Sequence, residues 1–202
     1  MKKFTVTLAA MLGMLSAMGQ TPVLSTSAPT GGAPVYDVMA ARVSTRAYST
    51  EMLSDELISG LLWSAVGVTH GDGKLTTPTA SNKQEVSVYL ITPAGAWLYD
   101  NKNNALVEVA TGNEAQQVAA PKGWAVDAPV NVAIVTDGAL QRNELMAGVD
   151  AGAVMQNLYL YCAANDLGTC ARGGVDREKL GELLKLRPEQ KVVIVQSVGY
   201  KK

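Results

Sequence analysis

Two arginines and a serine within five residues form the densest polar cluster in the first half of the chain. The segment reads Arg42-Val43-Ser44-Thr45-Arg46. A guanidinium group matches the oxygen geometry of a phosphate and can bind it through two parallel hydrogen bonds, and a hydroxyl can add a third. Two guanidinium groups and a hydroxyl at this spacing can therefore hold a phosphate. The alternative is a solvated helix end whose arginines form surface ion pairs.

Two further segments carry residue types that suit a flat ligand with polar edges. Small hydroxyl and amide residues cluster in Thr77-Pro78-Thr79-Ala80-Ser81-Asn82-Lys83-Gln84, and two adjacent glycines end Leu167-Gly168-Thr169-Cys170-Ala171-Arg172-Gly173-Gly174. Because glycine has no Cβ, backbone N–H groups at such a pair can come close to a ligand. Each segment alone is also explained by ordinary turn or helix-capping chemistry.

The composition describes one globular domain. The 202 residues include 17 basic and 18 acidic side chains, one histidine and two cysteines, and 48% are apolar. These values exclude intrinsic disorder and collagen-like structure. The formal net charge of −1 gives no electrostatic reason to expect a nucleic acid partner. One histidine and two cysteines without a Cys-x-x-Cys spacing are too few for a structural zinc site, so no metal is predicted.

The N-terminus has the features of a secretory signal peptide. Lys2 and Lys3 precede an almost wholly apolar run over residues 4–18, which is too short for a permanent membrane span and is followed by small residues. We therefore predict a cleaved signal over residues 1–19, export to the periplasm and no stable membrane anchor. An extended arm rich in Ser, Thr, Pro and Gly follows over 20–34, and the domain itself covers 35–202.

The hydrophobic pattern of the domain predicts helices alternating with strands. A helix follows the capping signal Ser54-Asp55-Glu56 and is expected to end near Gly67. A long helix over 145–167 is expected to be buried nearly all round and to end at Gly168. Short helices are predicted over 114–119 and after Asp176, and strands over 86–91, 97–99, 106–109, 130–136 and 192–198. This order predicts an α+β fold, with a mostly antiparallel central sheet flanked by helices and one long central helix.

Taken in order, these segments resemble the nitroreductase family of FMN enzymes. Members open with an Arg-x-Ser-x-Arg-like segment, matched at 42–46, and carry a Pro-Ser-Ser/Ala-x-Asn-x-Gln segment, matched at 78–84. Three further matches are a Gly-Ala-x-x-Gln-Asn helix at 152–157, a Leu-Gly stretch that ends in a glycine and Asp at 167–176, and a closing Val-Gly-Tyr at 198–200. The resemblance covers nearly all of the chain after the signal. It is closest to small members, including those similar to the dehydrogenases that oxidise azolines in peptide maturation.

The resemblance implies an FMN site and assigns residues to it. Arg42 and Ser44 match the ligands of the FMN phosphate. Arg46 matches the basic residue at the pyrimidine edge of the flavin, where two-electron reduction places negative charge. Thr79, Ala80, Ser81 and Asn82 match a loop that lines the flavin ring and is often supplied by the partner subunit. Gly173 and Gly174 match the backbone donors near N5 and O4 of the flavin. Lys201 or Lys202 matches a basic residue that reaches the phosphate.

Two of these positions depart from the family pattern. Ala80 stands where many relatives have Ser, so a hydroxyl contact is lost there. Gly173 replaces a common Glu, which keeps the backbone donor and removes the side chain.

The implied protein is a homodimer that transfers two electrons through bound FMN in a ping-pong reaction. NAD(P)H or another electron donor would reduce it, and a small electron-poor acceptor such as a nitroaromatic or a quinone would reoxidise it. Export leaves the donor open, because reduced nicotinamides are expected to be scarce outside the cytoplasm. The alternatives are a flavin-dependent dehydrogenase that oxidises its substrate, and a non-catalytic flavin-binding electron-transfer module.

Three other reactive side chains receive no catalytic role. Cys162 and Cys170 are the only candidates for a disulfide, and their spacing neither requires nor forbids one. We expect two independent, buried or half-buried thiols. His70 could donate a proton to an acceptor, although surface exposure is the favoured interpretation.

Overall fold

Six antiparallel strands form the central sheet in the computed structural model, which describes residues 21–25 and 29–202. Every neighbouring pair is antiparallel, in the order β3-β2-β1-β4-β6-β5. The strands are β1 (Val86–Thr92), β2 (Gly95–Asp100), β3 (Ala105–Thr111), β4 (Val130–Asp137), β5 (Leu167–Arg172) and β6 (Gln190–Tyr200). The predicted signal lies outside the described residues.

Helices cover both faces of this sheet. They are α1 (Val35–Ala41), α2 (Asp55–Val66), α3 (Glu114–Ala119), α4 (Glu144–Ala164) and α5 (Arg177–Leu183). One core cluster joins α2 and α4 to the sheet, and a second joins α3 and α5 to its other face. Since both faces are covered, the central strand β4 is buried along its whole length, as expected for a continuous apolar run. The predicted α+β class and its long helix are confirmed.

The capping prediction is also confirmed, and β2 and β3 form a hairpin. The Ser54 side chain accepts a hydrogen bond from the Leu57 N–H at 3.3 Å, and α2 is followed by Gly67. Asp100 pairs with Ala105 at the hairpin end. In the arm, the Ser25 N–H donates to the Ser59 hydroxyl at 2.8 Å.

The structure corrects two predictions about the long helix. The helix ends at Ala164, because Asp166 takes a left-handed conformation with φ of 54° and residues 167–172 then form β5. It is not buried all round, since Leu145 is 71% exposed and Val149 is 58% exposed. Gly168 therefore lies inside a strand and does not end the helix.

The segment from Arg42 to Ser49 contacts β5 and then the end of β6. The Thr45 N–H donates to the Thr169 carbonyl at 2.8 Å, and the Ser49 N–H donates to the Tyr200 carbonyl at 2.9 Å. Gly168 permits this close approach, because a Cβ there would lie 3.0 Å from the Thr45 methyl group. The sheet edge is thus partly protected, and the arginine and serine segment is held beside β5.

The two cysteines are free and buried, as predicted. Burial raises the pKa of the Cys162 thiol to about 12, which keeps it protonated and unreactive at neutral pH. Within residues 21–25 and 29–202, no helix has the length and apolar character needed to cross a membrane.

Candidate functional site

Tyr159 of α4 joins the Arg-Ser segment to β5. Its hydroxyl shares a hydrogen bond of 3.0 Å with the Ser44 hydroxyl and accepts one of 3.0 Å from the Ala171 N–H. The Arg42 guanidinium lies over the ring of the same tyrosine, 5.3 Å from its centroid. Because Ala171 is close to the end of β5, these contacts bring Arg42 and Ser44 to the end of the strand that leads into Gly173.

A second cationic group surrounds Trp124. The guanidinium carbons of Arg46 and Arg172 lie 5.7 Å and 6.0 Å from the centroids of the Trp124 rings, within the range of cation–π attraction. Arg172 is fixed by hydrogen bonds to Ser197 Oγ at 3.1 Å and to Asn131 Oδ1 at 3.2 Å. Burial lowers the pKa of Arg172, but a guanidinium stays charged at neutral pH.

These arginines are not neutralised by acidic side chains. Within the part of the chain that the structure describes, none of Arg42, Arg46 and Arg172 forms an ion pair with a carboxylate. The region beside β5 therefore carries uncompensated positive charge, which favours an anionic ligand.

The two glycines follow directly after β5 and are exposed. A Cβ on Gly174 would enter open space, and one on Gly173 would lie 3.2 Å from Arg177 Nη2. The chain thus exposes backbone without side chains at the end of β5, close to Arg42 and Ser44, which contact Tyr159. This placement suits a flat ligand that lies against the backbone.

The predicted ring-lining loop is anchored elsewhere, on the N-terminal half of α4. Ala80–Asn82 form a single 3-10 turn, and the Ala80 N–H donates to Asp150 Oδ2 at 2.8 Å. The Gln84 N–H donates to Thr79 Oγ1 at 2.8 Å. Ser81, Asn82 and Gln84 have φ values of 57°, 52° and 51°, a region that non-glycine residues seldom adopt.

The β5 group comprises Arg42, Ser44, Arg46, Trp124, Tyr159, Arg172 and the Gly173–Gly174 backbone. Within one protomer, the loop and the β5 group are anchored at separate positions of α4. Asp150, which holds the loop, and Tyr159, which holds Ser44, are nine residues apart on α4, or about 13 Å along the helix axis. Lys201 is also remote from the glycines. It pairs with Asp166 at 2.5 Å, at the opposite end of the six-residue strand β5, about 20 Å away along the strand.

Part of the surface of α1 and α4 is apolar and exposed. α1 packs on α4, and Tyr36 on α1 is 83% exposed. Between the exposed α4 side chains lie Gly148 and Gly152, where an added Cβ would meet no atom within 4 Å. Other exposed apolar side chains are Val35 and Met39 on α1, Val43 just after α1, and Leu145 and Val149 on α4.

Three residues of the β5 group were not assigned to a site by the sequence, namely Tyr159, Trp124 and Arg172. A tyrosine on a helix rich in small residues is a signal that could have marked such a position, but the sequence does not distinguish Tyr159 from Tyr161 on the same helix. His70 is exposed, as expected, and its Nδ1 lies 2.6 Å from the Thr69 hydroxyl.

Comparison with known proteins identifies the family. The model of the nitroreductase family matches residues 39–200. A nitroreductase-family protein of Methanocaldococcus jannaschii is 25% identical over 168 residues, which cover 75% of this chain and 84% of that protein.

Two solved structures have the same fold. A nitroreductase-family protein from Ralstonia eutropha JMP134 is 26% identical with a TM-score of 0.82, over 93% of this chain and 92% of that one. A protein of Desulfovibrio desulfuricans, crystallised with FMN, is 21% identical with a TM-score of 0.63, over 85% and 88% of the two chains. The family match runs from α1 to the last strand, so this chain belongs to the nitroreductase family of flavin oxidoreductases.

Proposed function

We propose that this chain binds FMN and works as a homodimeric oxidoreductase that moves two electrons from a reduced donor to a small electron-poor acceptor. The observation that carries the proposal is the convergence of Arg42, Ser44 and Arg46 with the Gly173–174 backbone beside β5. The arginine and serine segment and the glycine pair are distant in sequence, and Tyr159 and Trp124 join the two regions in space.

The residues beside β5 fit the two polar parts of FMN. Arg42 and Ser44 would hold the phosphate, because Arg42 stacks on Tyr159 and has no carboxylate partner in the described structure. Arg46 and Arg172 would lie at the pyrimidine edge of the ring. When bound, FMN supplies reversible two-electron chemistry.

The chain's own groups favour this chemistry electrostatically. Arg172 is held in place by Ser197 and Asn131 before any ligand arrives, so its charge needs no reorganisation. A fixed cation stabilises negative charge that develops at the ring edge on reduction. Backbone N–H groups at Gly173 and Gly174 would orient the ring from the end of β5.

A homodimer would complete the site. A two-fold axis that crosses α4 midway between Asp150 and Tyr159, near Met155, would place the Thr79–Asn82 loop of one copy beside the C-terminal half of the partner's α4. The exposed apolar surface of α1 and α4 supports this arrangement, and Gly148 and Gly152 allow two helices to approach closely. We therefore propose that each flavin is bound by both copies.

The donor, the acceptor and the location complete the proposal. We propose that NADH or NADPH and a nitroaromatic or quinone acceptor use the same site in turn. We also propose that the predicted signal over residues 1–19 exports the protein to the periplasm. Because reduced nicotinamides are expected to be scarce there, the donor in the cell would be another reductant, and NADH or NADPH would serve as the donor for the purified protein.

The test uses the purified full chain. We expect one FMN per protomer, identified after denaturation and chromatography. We further expect the flavin absorbance to bleach under anaerobic conditions on addition of NADH or NADPH and to recover with a nitroaromatic or a quinone. A chain that takes up no FMN would contradict the whole proposal, whereas bound FMN that neither nucleotide reduces would contradict the nicotinamide donor alone.

A further inference from the structure

A buried carboxyl group without a hydrogen-bond partner lies at the base of the Thr79–Gln84 loop. Glu85 joins this loop to β1 and is only 1% exposed. Among the described residues, neither of its side-chain oxygens has a hydrogen-bond partner. An isolated buried carboxylate is costly, so such a group is expected to be neutral or to share a proton.

The neighbouring acidic group is a second carboxyl, Asp150 of α4. Asp150 is also buried, and its Oδ2 accepts the Ala80 N–H at 2.8 Å. Burial and the neighbouring Asp150 raise the pKa of Glu85 to about 7. Because ionised carboxylates only accept hydrogen bonds, the two side chains can bond to each other only when one of them carries a proton.

The other charged neighbours do not neutralise the pair. Lys83 lowers the pKa of Glu85 in part, and its Nζ is hydrogen-bonded to Gln141 Oε1 at 3.4 Å. Asp137 meets Glu85 through its backbone N–H at 3.1 Å, while its own carboxylate is bound to Arg187. Two acids therefore face each other with one nearby cation.

The loop above the pair depends on tertiary contacts for its shape. Left-handed backbone at Ser81, Asn82 and Gln84 carries a conformational cost. The Ala80 to Asp150 hydrogen bond ties this strained turn to α4. A change in the charge of Glu85 would act directly on the side chain that holds the turn.

We propose that Glu85 and Asp150 share one proton, and that this proton holds the Thr79–Gln84 loop against α4 in the conformation that lines the flavin. Both are positioning residues. In the proton-sharing state that we propose, the Glu85 O–H would donate to the Asp150 carboxylate, which also accepts the Ala80 N–H. The role in flavin binding rests on the proposed function, because the loop matters to FMN only if it lines the ring.

The direction of the pH effect follows from the raised pKa. The ordinary pKa of this carboxyl is 4.5 and the folded value is about 7. The stabilisation by the shared proton is therefore complete below pH 4.5 and is lost as the pH rises through 7. Two adjoining carboxylates then repel each other and release the turn. We expect FMN affinity to fall by up to about tenfold for each pH unit above 7.

The test compares the FMN dissociation constants of three full-length proteins from about pH 6 to about pH 9, by quenching of flavin fluorescence. We expect the wild type to weaken above pH 7. We expect Glu85→Gln to bind as tightly as the wild type at low pH and to stay level, because an amide N–H donates at every pH. Glu144→Gln removes an exposed carboxylate near the start of α4 and should keep the wild-type profile. The FMN phosphate also ionises near pH 6. Because this ionisation affects the dissociation constants of all three proteins equally, the difference between their pH profiles does not depend on it.

Each outcome decides the proposal. A wild-type profile that is level above pH 7, or a Glu85→Gln profile that falls like the wild type, would overturn it. If Glu85→Gln fails to fold, Asp150→Asn serves in its place, since its amide can accept from Ala80 and donate to Glu85; it too should be level.

A failure of the proposed function would be recognised separately. If even the wild type takes up no FMN, the carboxyl pair is still decided by NMR titration of the Glu85 side-chain carboxyl carbon in the flavin-free chain. A midpoint near pH 7 that falls in Asp150→Asn supports proton sharing. A midpoint at the ordinary value of 4.5 rules it out.

Discussion

Tyr159 and Ser44 share a hydrogen bond of 3.0 Å although 115 positions separate them in the chain. The same tyrosine hydroxyl accepts the Ala171 N–H of β5. Tyr159 on the long helix thus fixes the segment 42–46, to which phosphate binding is assigned, relative to β5, the strand that leads into Gly173 and Gly174. The candidate site is therefore positioned by α4 and β5, and the segment 42–46 is bound to both of them through Ser44 and Thr45.

Arg42→Ala tests the phosphate assignment. We expect FMN affinity to fall by about 1.5–3 kcal/mol, roughly ten- to hundredfold, because a charge-assisted hydrogen bond is lost. The measurement is a fluorescence titration of the variant with FMN and with riboflavin, which has no phosphate. Riboflavin affinity should be unchanged. An equal loss for both ligands would show that Arg42 acts on the ring or on the fold.

Tyr159→Phe tests the hydroxyl that joins the two segments. The variant leaves the Ala171 N–H without its partner, at a cost of about 1–3 kcal/mol in the free energy of unfolding, and should weaken FMN binding. Urea unfolding and FMN titration measure the two effects. Tyr161→Phe removes a hydroxyl from the same helix without touching this network. If both variants behaved alike, Tyr159 would have no special role.

Gly168→Ala tests the fit of the 42–49 segment to β5. The added methyl would lie 3.0 Å and 3.2 Å from Thr45 side-chain carbons, so the segment must shift, at about 1–3 kcal/mol of stability. Thermal unfolding and FMN titration should both register the change. Gly181→Ala is the matched control, because its methyl would make an ordinary 3.7 Å contact with Leu186. A stable Gly168→Ala that binds FMN normally would contradict the close fit.

Val149→Glu tests the exposed surface of α4. A charge there should prevent two copies from packing, which would give a monomer that holds FMN poorly while its own core stays intact. Sedimentation velocity and flavin content after gel filtration measure this. Val107→Glu makes the same change at an exposed position of the edge strand β3, where Val107 is 47% exposed. A Val149→Glu dimer with full flavin would place the interface elsewhere.

Much of the fold could be predicted because its signals are local. Ser54 marks the start of α2, and the β-branched run of β4 reflects burial on both faces. β5 was missed because its residues continue a helical spacing and Gly168 resembles a helix end. Its contacts with β6 and with Thr45, which are distant in sequence, make it a strand.

The residues of the candidate site also fall into those that could be predicted from local sequence and those that could not. Arg42, Ser44 and Arg46 could be grouped because they are neighbours in sequence. Tyr159, Trp124 and Arg172 could not, since their roles arise from contacts across the fold. Glu85 resembles a solvated acid before a strand, and only its burial against Asp150 reveals the carboxyl pair.

The central claim is that each flavin is bound by the β5 group of one copy and the Thr79–Asn82 loop of the other. Mixed dimers test it most directly. Arg42→Ala and Asn82→Ala homodimers should each retain little FMN. In a dimer of one chain of each kind, one site carries both defects and the other carries neither, so we predict recovery of about half the wild-type flavin, one FMN per dimer. If each site were built within a single chain, both sites of the mixed dimer would stay defective and no flavin would be recovered, which would contradict the account.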